Sequence, residues 1–132
     1  MFKIVVNGSF DIVHVGHLRL FEHARSYPNS YVYVLIDSDN LIKQLKGQDR
    51  PINNEQERQL LLSSLRTVDR VEVFRSHSEL AELIKNYQPD LMIKGSDYKN
   101  KSIVGAEYCK EIEFFDRLTE YSTTDKILKC SK

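Results

Sequence analysis

Short β-branched runs alternate with helix-forming segments along this chain, and that alternation restricts it to few architectures. KIVVNG (3–8) is closed by asparagine and glycine, and HLRLFEHARSY (17–27) follows with apolar residues at Leu20, Phe21 and Ala24, so a strand is expected to turn into a helix. YVYVLID (31–37) is a nearly continuous apolar run, the form of a strand covered on both faces inside a parallel sheet. A polar, lysine-bearing segment (38–53) leads to NEQERQLLLSSL (54–65), where Leu61 and Leu65, with Val68 beyond, have helical spacing. RVEVF (70–74) reads as a strand and SHSELAELIKNY (76–87) as a helix whose apolar side carries Leu80, Leu83, Ile84 and Tyr87. Ser76 and Glu79 have the spacing of a capping box there, as do Ser122 and Asp125 further on. DLMIKG (90–95) and EIEFF (111–115) complete the set of strands.

This order predicts an α/β fold: a single Rossmann-like domain over residues 1–132, with a parallel sheet of about five strands flanked by helices and joined by right-handed crossovers. A chain of 132 residues can bury a core without disulfides or a structural metal. Ligands of such sheets bind beyond the carboxyl ends of the strands, which places the turn at 8–17 in the expected site. Charge narrows the ligand class. The 19 Lys and Arg residues balance 19 Asp and Glu, so no overall basic field draws the protein to nucleic acid or an anionic membrane, and any anion must be held locally. Cys109 and Cys130 form neither a CxxC pair nor a zinc spacing, which suits a reducing compartment. No run approaches the roughly 20 apolar residues of a membrane span. Met1-Phe2-Lys3 leads into the first strand without a signal-peptide pattern. The expectation is a cytoplasmic protein with neither nucleic-acid nor membrane partners.

The turn itself reads NGSFDIVHVGH (7–17). Gly8 permits a tight bend and close approach of a ligand to the backbone, and Gly16 leaves that approach uncrowded. His17 falls at the first helical turn, where unpaired N–H groups and the helix dipole favour an anion. Two imidazoles there, His14 and His17, can donate hydrogen bonds to phosphate oxygens as charge builds during phosphoryl or nucleotidyl transfer. A zinc site would need third and fourth ligands that the surrounding sequence does not supply. Taken alone, an HxxH pair is more often a helix-capping or partly buried polar pair.

Gly8, Phe10, Asp11, His14, Gly16 and His17 form the pattern G-x-F-D-x-x-H-x-G-H, which resembles the signature of the cytidylyltransferase-like nucleotidyltransferases. SDNLIKQLKGQDRPINNEQER and IKGSDYKNKSIVG resemble the lysine-bearing loop with its following helix, and the KGGDY region, of the adenylyltransferase domain of bacterial ADP-heptose synthases. YSTT (121–124) is similar to the STT motif of the superfamily. The resemblance implies attack of an acceptor phosphate on the α-phosphorus of a nucleoside triphosphate, with release of pyrophosphate. It implies contacts to the triphosphate from His14, His17 and Lys46 as catalytic residues. Gly8, Ser9, Phe10, Asp11, Gly16, Lys43, Arg50, Lys94, Gly95, Asp97, Arg117, Tyr121, Ser122, Thr123 and Thr124 are its nucleotide-site candidates. For Lys43 the alternative is a solvated loop lysine, and Arg58 is expected to pair with neighbouring acids. Mg²⁺ is implied as the companion of the phosphates, with no metal-binding residue assigned, and a homodimer is implied as the assembly.

Substrate choice is less constrained. The resemblance of the middle of the chain to the ADP-heptose synthase domain implies ATP and D-glycero-D-manno-heptose 1-phosphate. Glu120 stands where heptose-type sequences commonly have glycine, and Arg117, five residues before Ser122, matches the glycerol-3-phosphate cytidylyltransferases, which use CTP. A nucleotide-binding module without turnover is the remoter alternative. A sugar-kinase domain is often fused to the heptose adenylyltransferase; its absence from these 132 residues leads to the expectation of a separately acting protein.

Overall fold

The computed structural model describes residues 1–116. Its centre is a five-stranded, wholly parallel sheet formed by β1 (Phe2–Gly8), β2 (Ser30–Asp37), β3 (Arg70–Phe74), β4 (Leu91–Gly95) and β5 (Glu111–Phe115), in the order β3-β2-β1-β4-β5. The first crossover pairs β1 with β2, and the chain later returns to β4 on the other side of β1. That reversal opens a crevice at the carboxyl end of the central strand.

Four helices among the described residues cover the sheet: α1 (Val15–Ser26), α2 (Asp39–Lys46), α3 (Glu55–Ser63) and α4 (His77–Tyr87). Period-2 alternation divides the buried side chains into two cores. Ile4, Val6, Val34, Ile36 and Ile93 pack with Phe21 and Ala24 of α1 and Leu62 of α3 on one face. Val5, Tyr33, Leu35 and Met92 pack with Leu41 of α2 and Leu80 and Ile84 of α4 on the other. Cys109 is half-buried, and burial raises its thiol pKa to about 11, so it stays protonated at neutral pH. No helix among the described residues is long and apolar enough to cross a membrane.

The parallel α/β expectation holds, with local differences. The segment 38–53 contains α2, whose first turn is capped by Ser38 Oγ accepting from Leu41 N at 3.2 Å. Only the adjacent pair Leu41 and Ile42 is buried, too short a pattern to reveal helical periodicity. In α3 the buried residues are Arg58 and Leu62, whereas Leu61 is 50% exposed and Val68 lies beyond the helix end. Ser76 Oγ accepts from Glu79 N at 3.1 Å, but the Glu79 carboxylate accepts from Arg75 N at 3.1 Å, one residue before the partner a capping box requires. The Ser122–Asp125 box lies outside the described residues.

Candidate active site

A cavity of about 450 Å³ opens at the carboxyl ends of the strands, large enough for a small organic ligand. Its floor is the turn 7–11, and its walls include Gly16 and His17 of α1, Leu45 and Lys46 of α2, and 93–95 with Asp97 and Tyr98. The topology brings together the three stretches that sequence motifs single out, far apart though they are along the chain.

His14 and His17 are held by backbone. His14 is the N-cap of α1, its Nδ1 accepting from Gly16 N at 3.1 Å, while His17 Nδ1 accepts from His14 N at 3.2 Å. A neutral ring accepting at Nδ1 carries its proton on Nε2, so the caps set the tautomer of both imidazoles and make Nε2 a donor. The rings stack at 3.8 Å between centroids and 24° between planes, and Phe10 packs edge-on against His17 at 5.0 Å. Both histidines are buried, at 6% and 7% exposure. His17 forms part of the cavity wall, and His14 lies against it. Phe10 adopts φ 48° in the left-handed region, which carries its ring back into the core beside Phe21. A Cβ at Gly8 would come within 3.1 Å of that ring, so glycine keeps the turn close to the strand end.

Asp11 lies in the floor of the cavity, with its carboxylate taken up by the neighbouring loop. It is 2% exposed, and its carboxylate accepts from Ile52 N at 2.9 Å, Asn53 N at 2.8 Å and Arg50 Nε at 3.2 Å. Its carbonyl oxygen accepts from Asn53 Nδ2 at 2.8 Å. The carboxylate thus ties the loop at 50–53 to the histidine turn and places Arg50 at the cavity wall. Lys46 Nζ donates to Ser9 Oγ at 3.2 Å across the mouth. Lys43 Nζ instead donates to the Arg50 carbonyl at 3.3 Å and is not part of the wall.

Arg58 is fully buried and joins several site elements from behind. It donates to the Ser9, Asp37 and Asn53 carbonyls at 3.0, 2.8 and 3.0 Å, and pairs with Asp39 at 2.8 Å. Its expected role as a pairing residue holds.

On the other side of the cavity stand Lys94, Gly95 and Asp97. Lys94 is buried, its Nζ 4.1 Å from the Tyr98 ring centre. Burial lowers its pKa from the usual lysine value, against the opposing pull of Asp37 and Asp97. A Cβ at Gly95 would come within 2.6 Å of Asp97 Oδ1, so a side chain there would displace the Asp97 carboxylate from its present position. Asp37, Asn7 and His77 also line the cavity and were not among the residues singled out in the sequence. The signal for Asp37 was its place at the carboxyl end of a buried strand. Burial raises its carboxyl pKa although Lys46, Arg58, Lys94 and His77 pull it down. Arg117, Tyr121, Ser122, Thr123 and Thr124 lie outside the described residues.

Among the described residues no group of three or more His, Cys, Asp or Glu could hold a metal ion. The Asp11 carboxylate is already occupied by the loop. These donors fit an ion carried mainly by phosphate oxygens and water rather than a protein-built metal cage.

The cytidylyltransferase-like family model matches residues 5–124. The bifunctional protein HldE of Helicobacter hepaticus is 45% identical over 126 residues, covering 95% of this chain and 26% of that protein. HldE of Aliarcobacter butzleri is 42% identical, again over 95% of the chain and 26% of the relative. The chain therefore spans about a quarter of the length of these curated relatives. The crystal structure of a lipopolysaccharide core biosynthesis protein from Thermoplasma volcanium superposes with a TM-score of 0.70 at 23% identity, covering 89% of this chain and 99% of that one, a likeness of fold. With the family match spanning most of its length and the histidine turn built around one cavity, the chain belongs to the cytidylyltransferase-like family and is an enzyme of the nucleotidyltransferase class.

Proposed function

We propose that the chain is an adenylyltransferase that moves AMP from ATP to a sugar phosphate, with D-glycero-D-manno-heptose 1-phosphate as the favoured acceptor. The observation that carries this reading is the convergence of His17, Lys46 and Arg50 on the cavity at the N-terminus of α1. Three groups able to donate to phosphate oxygens meet there with the helix dipole. The HldE likeness and the lysine-bearing middle of the chain favour ATP and the heptose acceptor.

The acceptor phosphate, largely dianionic at neutral pH because its second pKa is near about 6, supplies its own nucleophile. One of its oxygens bonds to the α-phosphorus of ATP as the bond to the β-phosphate oxygen breaks, and pyrophosphate leaves with that electron pair. No general base is required. The residues position and neutralise: His17 donates from Nε2 to the α-phosphate, His14 fixes the ring behind it, and Lys46 and Arg50 meet the β- and γ-phosphates. Gly8, Ser9, Gly16 and Phe10 shape the phosphate-binding turn, while Gly95 and Asp97 lie on the nucleoside side. Asp11 acts through Arg50, and Lys43 through the carbonyl that precedes Pro51. Mg²⁺, bound with the triphosphate, would add charge neutralisation. A homodimer in the cytoplasm is the proposed working state.

The test is a matrix of ATP and CTP against heptose 1-phosphate and glycerol 3-phosphate, read by pyrophosphate release. ATP with heptose 1-phosphate is expected to give the highest kcat/KM. A higher value for CTP with glycerol 3-phosphate, the pair favoured by the position of Arg117, would reject the substrate choice and leave the transfer mechanism standing. Replacement of Thr123 and Thr124 together by valine, which keeps their shape but removes two hydroxyls, is expected to weaken ATP binding by about tenfold or more in calorimetry. Unchanged binding would remove the STT motif from the triphosphate site.

A further inference from the structure

The side of the cavity facing α4 carries chemistry that phosphate binding leaves unused. Asn7, Asp37 and Lys94 stand near the carboxyl ends of β1, β2 and β4, three adjacent strands with β1 in the middle. Each lies two residues beyond Val5, Leu35 or Met92, which share the core under α4, so strand alternation puts all three on that face. The histidine helix α1 packs on the opposite face.

Lys94 Nζ lies 3.5 Å from Asn7 Oδ1. Asp37 interacts electrostatically with both Lys94 and His77. Among the described residues no donor is hydrogen-bonded to the Asp37 carboxylate, although its backbone carbonyl accepts from Arg58 at 2.8 Å. Asp37 is half-buried and faces the cavity with its acceptor sites unused by the described residues, so a ligand there can supply the donors.

A divalent cation is the wrong donor substitute. Lys46, Arg58, Lys94 and His77 already surround Asp37 with positive or protonatable groups, and a dication would enter against their repulsion. Hydroxyl groups carry no charge and meet no such barrier. Lys94 offers only donors, Asn7 both donors and an acceptor, and Asp37 only acceptors when ionised. Three or more successive hydroxyls of a sugar, each donor and acceptor at once, match those three groups, whereas glycerol 3-phosphate has only two free hydroxyls to offer.

We propose that Asn7, Asp37 and Lys94 form a hydroxyl-recognition subsite that selects a polyhydroxylated sugar phosphate as acceptor over a short polyol phosphate. This rests on the adenylyltransferase reading of the same cavity, and it moves Lys94 from the nucleotide to the acceptor.

Calorimetry of wild-type protein and of Asp37→Asn tests it, with heptose 1-phosphate, glycerol 3-phosphate and a non-hydrolysable ATP analogue as separate ligands. Asp37→Asn preserves shape and removes a half-buried charge, and its melting temperature serves as the folding control. The expected result is a rise of about ten- to a hundredfold in the Kd of heptose 1-phosphate, with the ATP analogue and glycerol 3-phosphate changed by less than about threefold. Lys94→Met is expected to follow the same pattern. Unchanged sugar-phosphate affinity in both variants overturns the proposal. Equal weakening of the ATP analogue overturns it too, by returning the residues to the nucleotide, as does a loss seen only when Mg²⁺ is present. These are binding measurements, so they still decide the subsite if no triphosphate supports turnover, whereas normal turnover with undisturbed acceptor discrimination rejects the subsite alone.

Discussion

Replacing His17 with alanine is expected to lower kcat by at least about a hundredfold in a protein that still folds. The imidazole is 7% exposed, oriented by His14 N on Nδ1, and set in the cavity wall with Nε2 as its donor. Removing one preorganised donor from a developing phosphate charge typically costs 10²–10³ in rate. His14→Ala is expected to reach a similar loss by a second route. It deletes the N-cap of α1 and the ring stacked at 3.8 Å behind His17, so its melting temperature should also drop, in keeping with about 1 kcal/mol for a lost cap. Single-turnover kinetics with saturating ATP, alongside circular dichroism, checks both variants. Near-normal turnover in folded His17→Ala would remove the histidine from the reaction.

Arg58→Ala is expected to destabilise the fold by about 3–5 kcal/mol, the scale for truncating a large buried side chain that also serves buried acceptors. The guanidinium is fully buried and donates to three carbonyls and to Asp39. Its removal leaves those acceptors unpaired and opens a cavity behind the site. Arg58→Lys should recover little, because one ammonium cannot reproduce a planar fork serving four acceptors. Because two of those acceptors are the Ser9 and Asp37 carbonyls, the lysine variant is also expected to raise KM. Urea unfolding monitored by circular dichroism measures the stability change. A loss below about 1 kcal/mol in Arg58→Ala would show that the buried network contributes little.

Much of this protein could be read from its residues alone. Nearly continuous apolar runs such as YVYVLID require cover on both faces, and their alternation with helices leaves a parallel sheet as the consistent answer. The histidine turn was equally legible, because glycine, histidine and a helix start are local features and the phosphate chemistry follows from residue type.

Other features depended on contacts between distant segments. The motif that singles out Asp11 carries no information about the loop at 50–53, whose backbone takes up its carboxylate at the cavity floor. Helix α2 was hidden because its burial comes from one apolar pair fitting beneath a capped turn rather than from a repeated pattern. Leu61 and Leu62 are chemically alike, yet one is half exposed and the other fully buried, since the direction of α3 is set by Arg58 reaching back to the Ser9 and Asp37 carbonyls. Asn7, Asp37 and Lys94 belong to three strands, and only their sheet order and register make them neighbours. Strand identity and helix starts are decided by side chains a few residues apart. Which of two adjacent groups meets water, backbone or ligand is decided by partners tens of residues away, and that choice was made by the tertiary structure.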